Sequence, residues 1–430
     1  MSLILTSLAE AVSYINNRDT IGFGLGPGIP DAFMNALGER DDYEEVIFGG
    51  ALLLGYYSVM TKSSVSYRSG FFGPAERMLL SQGHKVELVP GGFRQFGPIL
   101  RRLSPRVMIA TGIADFEREE VNLSLHLGAT YDELLRSGRD PNRLLIIEHN
   151  PNLPRTSTLD GFSNVISFKD IDLLVEGNSL PFPLPDIPPS DEDIEIAKIA
   201  ASYIVDGATL QTGIGSIPTQ VAELLATREG GNYGIHSEMF TTGLMKLHKA
   251  GKVTNSHKGI FNGTSVTTFA LGTQELYGWI NENSDVSFLP VDVVNDPSLI
   301  AKNHAFISIN GALSVDLFGQ VVADSIDGKQ ISGVGGHEDF VAAAELHPDA
   351  KSLICMRSSA IVEGKLRSRI TAKLPEGAIV STPRHHIGVV VTEYGSCDLV
   401  GLTVKERALA LAGISHPDFR EELLRVAKSL

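Results

Sequence analysis

Short apolar runs rich in β-branched residues alternate along this chain with segments whose apolar positions recur at helical spacing. Strand candidates are Thr20–Gly24, Glu45–Phe48, Lys85–Val89, Val107–Ala110, Leu144–Glu148 and Leu173–Glu176. Further along come Thr209–Thr212, Val286–Leu289, Ala305–Ile309, Ser352–Met356 and Gly388–Thr392. Helical patterns lie between them, among them Pro30–Leu37, Arg94–Leu103, Asp191–Ile204, Pro218–Leu225, Val404–Ala412 and Pro417–Ala427. Such alternation predicts an α/β protein whose mainly parallel sheets are covered by helices on both faces.

One stretch breaks the alternation. From Leu180 to Asp193 the chain runs Leu-Pro-Phe-Pro-Leu-Pro-Asp-Ile-Pro-Pro-Ser-Asp-Glu-Asp, and proline at that density stiffens an extended connection. Two tandem domains are therefore expected, residues 1–185 and 186–430. A weak internal repeat straddles the connection. Thr20-Ile-Gly-Phe-Gly-Leu-Gly-Pro-Gly-Ile-Pro30 and Thr209-Leu-Gln-Thr-Gly-Ile-Gly-Ser-Ile-Pro218 each read as a strand, a glycine-rich turn, Ile-Pro and an amphipathic helix with proline near its start.

The glycine turns are not a dinucleotide fingerprint. Counting from Gly22, Gly213 or Gly333, the sixth position holds Pro27, Pro218 or Glu338 where that motif needs a small residue, and no Gly-Lys-Ser/Thr ending exists. What they offer is backbone N–H groups at helix starts, suited to an anion or a developing oxyanion. A β-like run ends in Glu238 within Tyr233-Gly-Ile-His-Ser-Glu238-Met-Phe. Ligands of open α/β sheets bind at such strand ends, although a solvated loop carboxylate has the same spacing. His236 has no second histidine at i+4 and no nearby thiolate, so no metal is expected. Glu148-His-Asn150-Pro-Asn152 reads adequately as a turn. Arg384, in Ser381-Thr-Pro-Arg384-His-His386, fits either a structural ion pair or the recognition of a substrate carboxylate.

Composition narrows the field. With 36 Lys+Arg against 51 Asp+Glu, the net charge is 36 − 51 = −15, which excludes a general nucleic-acid or anionic-membrane binder. Two cysteines, Cys355 and Cys397, are too few for a disulfide framework or a zinc module. Neither a signal-peptide pattern nor an apolar run near the ~18–20 residues of a membrane span is present, so a cytoplasmic protein is expected. Glycine is in excess, 43 residues, and the turns above absorb part of it.

Taken in order, the motifs resemble the acetyl-CoA hydrolase/transferase family, the class I coenzyme A transferases that include 4-hydroxybutyrate and butyrate CoA-transferases. The resemblance rests on Phe71-Phe72 with Arg77, Asn150-Pro-Asn152-Leu-Pro-Arg155-Thr156, Gly213-Ile-Gly215-Ser-Ile-Pro218 and Gly234-Ile-His-Ser-Glu238-Met-Phe240. It continues through Asn310-Gly-Ala-Leu, Gly333-Val-Gly335-Gly336, Thr382-Pro-Arg384-His385 and Val391-Thr-Glu-Tyr394-Gly395, nearly the whole chain. Three departures concern the acyl side. His337 stands where relatives commonly carry glutamine, Thr111-Gly-Ile-Ala-Asp replaces a Pro-Pro-Asp turn, and His386 replaces an aspartate.

The resemblance implies two similar α/β domains and a catalytic glutamate at Glu238, which attacks an acyl-CoA thioester. An ordinary carboxylate, pKa about 4.3, is ionised at pH 7 and needs no general base. It further implies an oxyanion hole at Gly335 and Gly336. A CoA path would run by Gln211, Gly213, Ile214 and Gly215 on one side, and by Asn310, Gly311, Gly333 and Val334 on the other. Gly28, Phe72, Arg77, His337 and Arg384 are the expected substrate pocket. Coenzyme A enters as substrate, with no metal and no nicotinamide, and the other partners expected are a carboxylate and further copies of the chain in a homodimer or homotetramer. The acceptor class spans acetate, butyrate, 4-hydroxybutyrate, succinate and itaconate. An acyl-CoA hydrolase using the same glutamate and a CoA-binding sensor without turnover remain alternatives.

Overall fold

The computed structural model describes residues 4–430. The chain falls into two compact units, Met1–Leu184 with Val266–Val294, and Pro185–Ser265 with Asn295–Leu430. The division departs from a single cut after residue 185 because Val266–Val294 is stitched to the first unit. Phe288 N–H donates to Ser157 O at 2.8 Å and Arg155 N–H to Asn281 Oδ1 at 2.8 Å. Leu184 N–H reaches Gly272 O at 2.7 Å, and Tyr277 Oη donates to Phe182 O at 2.6 Å.

The first unit is built on strands β1 (Ile4–Leu5), β2 (Arg18–Leu25), β3 (Glu45–Ala51), β4 (Val65–Ser69), β5 (Val86–Leu88), β6 (Val107–Asp115), β7 (Leu144–His149) and β8 (Leu173–Glu176). They lie side by side in the order β1-β8-β7-β6-β2-β3-β4-β5, and every pairing along that path is parallel. Both faces of such a sheet are covered, so its strands read as continuous apolar runs rather than alternating ones. Leu144 to Ile147 in β7 and Val107 to Ala110 in β6 are all buried.

In the second unit β9 (Thr209–Thr212), β10 (Gly234–Ile235), β11 (Ile307–Gly311), β12 (Lys351–Cys355), β13 (Val389–Thr392) and β14 (Gly395–Asp398) follow the order β10-β9-β11-β12-β13-β14. Only the last pairing is antiparallel. The two sheets share a wiring: β8-β7-β6-β2-β3 in the first unit corresponds strand for strand to β13-β12-β11-β9-β10 in the second. The glycine turns fall at equivalent places, after the central strands β2 and β9.

Helix α1 (Asp31–Gly38) follows β2 and takes Pro30 as its N-cap. The buried carboxylate of Glu148, at the end of β7, sits at the start of this helix and accepts Phe33 N–H at 3.0 Å. A carboxyl oxygen there satisfies a donor that has no partner within the helix. The connection to the second unit closes on α2 (Asp191–Ser202), capped by Ser190 and Asp193 in a reciprocal box. After β9, Gly215 takes φ +129°, a conformation open to glycine, and α3 (Ser216–Thr227) begins there, two residues earlier than Pro218. Proline is harmless at its third position because the first N–H groups of a helix have no internal acceptor. Among the described residues no helix is long and apolar enough to cross a membrane.

Candidate active site

Glu238 stands just past the carboxyl end of β10. Its neighbour Ser237 is buried and bridges to the next strand: Ser237 Oγ accepts Thr212 N–H at 3.4 Å and lies 3.2 Å from Thr212 O, with Met239 O a nearer acceptor for its proton at 2.9 Å. Because Thr212 ends β9, this link sets the Gly213 turn beside the glutamate loop. His236, also buried, is tied to Asn303 Nδ2 through Nδ1 at 3.0 Å. Among the described residues no group of three or more His, Cys, Asp or Glu is arranged to hold a metal ion.

Glu238 as a residue is half-buried, but its carboxyl group is turned inward and one of its oxygens is held tightly. Asn295 Nδ2 donates to Glu238 Oε2 at 2.6 Å and lies 3.3 Å from Asp339 Oδ2, so one amide faces two carboxyls. The backbone N–H of Gly336 donates to the same glutamate. That approach needs glycine: a Cβ at position 336 would lie 1.9 Å from Glu238 Oε2 and 2.2 Å from Asn295 Nδ2. Burial pushes the Glu238 carboxyl up to about 8, with the nearby Asp339 adding to the rise and the Asn295 and Gly336 donors opposing it. The expectation of an ordinary, fully ionised carboxylate is corrected accordingly. Burial thus favours the neutral form of the resting side chain, and its ionised form is a stronger base and nucleophile than a solvated carboxylate.

The other expected residues divide by position. Gln211 is buried in β9, and its Oε1 lies 3.4 Å from Asn310 Nδ2 at the end of β11, which also donates to Ser308 Oγ at 2.7 Å. Ile214 is 53% exposed at the tip of its turn, and Gly311 is exposed. Gly333, Val334 and Gly335 form a partly exposed loop, with Gly335 at φ +57°, which leads into α4 (His337–Glu345). His337 is buried at the start of that helix with Nε2 2.8 Å from Thr382 Oγ1, and burial pulls its pKa down to about 4, so it is neutral. Arg384 is exposed, and its main-chain carbonyl accepts from Arg407.

Three of the expected pocket residues belong to the first unit. Phe72 is 2% exposed and belongs to the apolar core cluster that also holds Phe23 and Tyr67. Arg77 Nη1 reaches Phe72 O at 3.4 Å. Gly28 abuts the His126 ring, where a Cβ would come within 2.4 Å of Nδ1. Asn295 and Asp339 were not expected. Asn295-Asp-Pro reads as a turn, and an acid in the first turn of a helix is ordinary dipole matching. Nothing local marks either as a partner of Glu238.

The fold and site define a class: two like-wired parallel α/β units, with a carboxyl pinned by an amide and a glycine N–H at the strand ends of the second. Residues 272–427 match the acetyl-CoA hydrolase/transferase C-terminal domain. The chain is 38% identical to the 4-hydroxybutyrate coenzyme A transferase of Clostridium kluyveri over 99% of its own length and 97% of that protein's. It is 31% identical to the butyryl-CoA:acetate CoA-transferase of Anaerostipes caccae, covering 99% and 96%. The crystal structure of RipA from Yersinia pestis superposes with a TM-score of 0.86 at 30% identity, covering 99% and 97%. The chain belongs to the acetyl-CoA hydrolase/transferase family.

Proposed function

We propose that the protein is an acyl-CoA:carboxylate CoA-transferase that moves CoA between short-chain acids through a covalent thioester on Glu238. The observation that carries this reading is the setting of the Glu238 carboxyl at the strand ends: Asn295 Nδ2 donates to Oε2 at 2.6 Å and the Gly336 N–H donates to the same carboxyl. The relatives named above act on 4-hydroxybutyrate and butyrate, which supports short monocarboxylates as the acid class.

In the first step the ionised carboxylate attacks the thioester carbonyl, giving an acyl-glutamyl anhydride and CoA thiolate. The thiolate then attacks the glutamyl carbonyl of the anhydride, leaving glutamyl-CoA thioester and free carboxylate. An incoming carboxylate attacks that thioester and releases the thiolate, which takes the new acyl group and frees Glu238. In the two steps at the glutamyl carbon the negative charge develops on Glu238's own oxygen. Asn295 Nδ2 donates to Oε2 and the Gly336 N–H to the same carboxyl, so donors are in place as the oxyanion forms. The glycine loops Gly213–Gly215 and Gly333–Gly335, together with Gln211 and Asn310, provide the N–H and amide donors for CoA.

The test is to incubate the protein with an acyl-CoA and no acceptor, then digest it and locate the adduct by mass spectrometry. CoA bound through Glu238, discharged on adding acetate or butyrate, is the expected result. Absence of an adduct, with no CoA exchange into any acid, overturns the proposal, and free CoA released without acceptor indicates hydrolysis in its place. Glu238→Ala abolishes adduct and turnover while leaving the fold intact.

A further inference from the structure

β10 is the outermost strand of its sheet, so one of its sides has no neighbouring strand. The loop over residues 252–265 covers that side. Tyr233 O accepts the N–H groups of Thr254 and Asn255 at 3.1 and 3.0 Å. Ile235 N–H donates to Asn255 Oδ1 at 2.9 Å, and Ile235 O accepts from Lys258 Nζ at 2.8 Å. Side chains of Asn255 and Lys258 thus occupy the places of the acceptor and donor that an adjacent strand's backbone would supply, at the last residue before the chain turns toward Glu238.

Lys258 is fully buried, and its Nζ makes a second bond, also of 2.8 Å, to Thr264 O. Burial alone pushes its pKa down to about 7, with no carboxylate acting on it. A neutral amine has two N–H groups, and the two carbonyls use both. Gly234 makes room for the lysine stem, since a Cβ there would lie 2.3 Å from Lys258 Cγ. Burying an amine costs free energy that a methionine of similar volume would not, so the polar end has a task at this position. It is not a counter-ion of Glu238.

We propose that Lys258 is a positioning residue for Glu238: with Asn255 it fixes the Ile235 peptide, from which the chain runs through His236 and Ser237 to the carboxyl. Ser237 is anchored to β9 and Ile235 to the 252–265 loop, so the glutamate loop is held from both flanks. The proposal rests on the reading of Glu238 as the nucleophile.

Lys258→Met keeps the volume and removes the donors. Its KM for acyl-CoA is expected to stay within about twofold of wild type, while kcat and the rate of Glu238–CoA adduct formation fall on the order of 10²-fold, the scale of a misplaced reacting group. Lys258→Gln, whose amide keeps two N–H groups, should recover part of that loss. Wild-type kcat and adduct rate in folded Lys258→Met overturn the proposal. Should that variant not fold, Asn255→Ala decides, because it removes the acceptor of Ile235 N–H: a wild-type KM with reduced kcat supports the assignment and an unchanged kcat overturns it. Adduct formation by the wild-type protein is measured alongside. If it is absent, the reading of Glu238 fails first; if present and matched by the variants, only the role of Lys258 fails.

Discussion

At the scale of single residues, Glu238 and Gly336 form one unit: the carboxyl is defined by what approaches it, and the approach is possible only without a side chain. Gly336→Ala places a methyl 1.9 Å from Glu238 Oε2, so either the carboxyl or the donor loop must move. Losing one preorganised oxyanion donor lowers kcat by about 10²–10³-fold. We expect a kcat/KM loss at least that large in Gly336→Ala, with near-ultraviolet circular dichroism unchanged; steady-state kinetics showing less than a tenfold loss would mean that the Gly336 N–H is not used. Glu238 itself was legible in the sequence because it ends a β-like run amid a series of ordered motifs. Asn295 and Asp339 were not. Asn295 is separated from Glu238 by 57 positions and from Asp339 by 44, and the amide meets both carboxyls only after the second unit has folded.

At the scale of elements, the strand-to-helix turns came through most clearly, since buried parallel strands leave unbroken apolar runs and glycine marks the turns. β4 was missed for the converse reason. Its buried residues Val65, Tyr67 and Ser69 alternate with more exposed ones and include a serine, so no apolar run appears. The helix α2 shows how a boundary read as a simple cap takes on a second function. Burial alone would raise the Asp193 carboxyl, but hydrogen bonds from Arg357, Ser216 and Ser190 outweigh it and hold its pKa below the usual value. The Arg357 bonds are 2.8 and 2.7 Å long, and Ser216 is the first residue of α3. One aspartate therefore fastens the start of the second unit to the helix behind the Gly213 turn. Asp193→Ala removes a cap and a charge-assisted pair, and we expect it to lower the unfolding free energy by about 2–3 kcal/mol in urea titrations. The sign with pH follows from the depressed pKa. The stabilisation is present above the unfolded value of 3.8 and disappears as pH falls through the lower folded value, so wild type and variant should converge in strong acid.

At the scale of the whole molecule, the shared wiring of the two units makes their difference informative. In the first unit the helix start beyond the glycine turn is filled from within by Glu148, whereas in the second α3 starts from Gly215, which has no side chain to cap it. Each unit thus contains a carboxyl driven upward mainly by burial, Glu148 to about 7 and Glu238 to about 8, but only the second is assigned to chemistry. A carboxyl whose folded pKa is raised binds its proton more tightly in the native state, so its contribution to stability is greatest below the unfolded value of 4.5 and declines as pH rises toward the folded one. Glu148→Gln, fixed in the neutral form, should therefore gain in Tm over wild type as pH climbs from about 4.5 to about 7, with no further gain above. Activity follows the other carboxyl. The kcat/KM of wild type should rise with pH and level off above about 8, as Glu238 loses its proton, and Glu148→Gln should leave that profile where it is. Calorimetry and initial rates on the same two proteins separate the effects. A displaced rate profile in Glu148→Gln would place the first-unit carboxyl in the reaction, and a Tm difference that does not vary with pH would show that Glu148 is ionised in the folded protein.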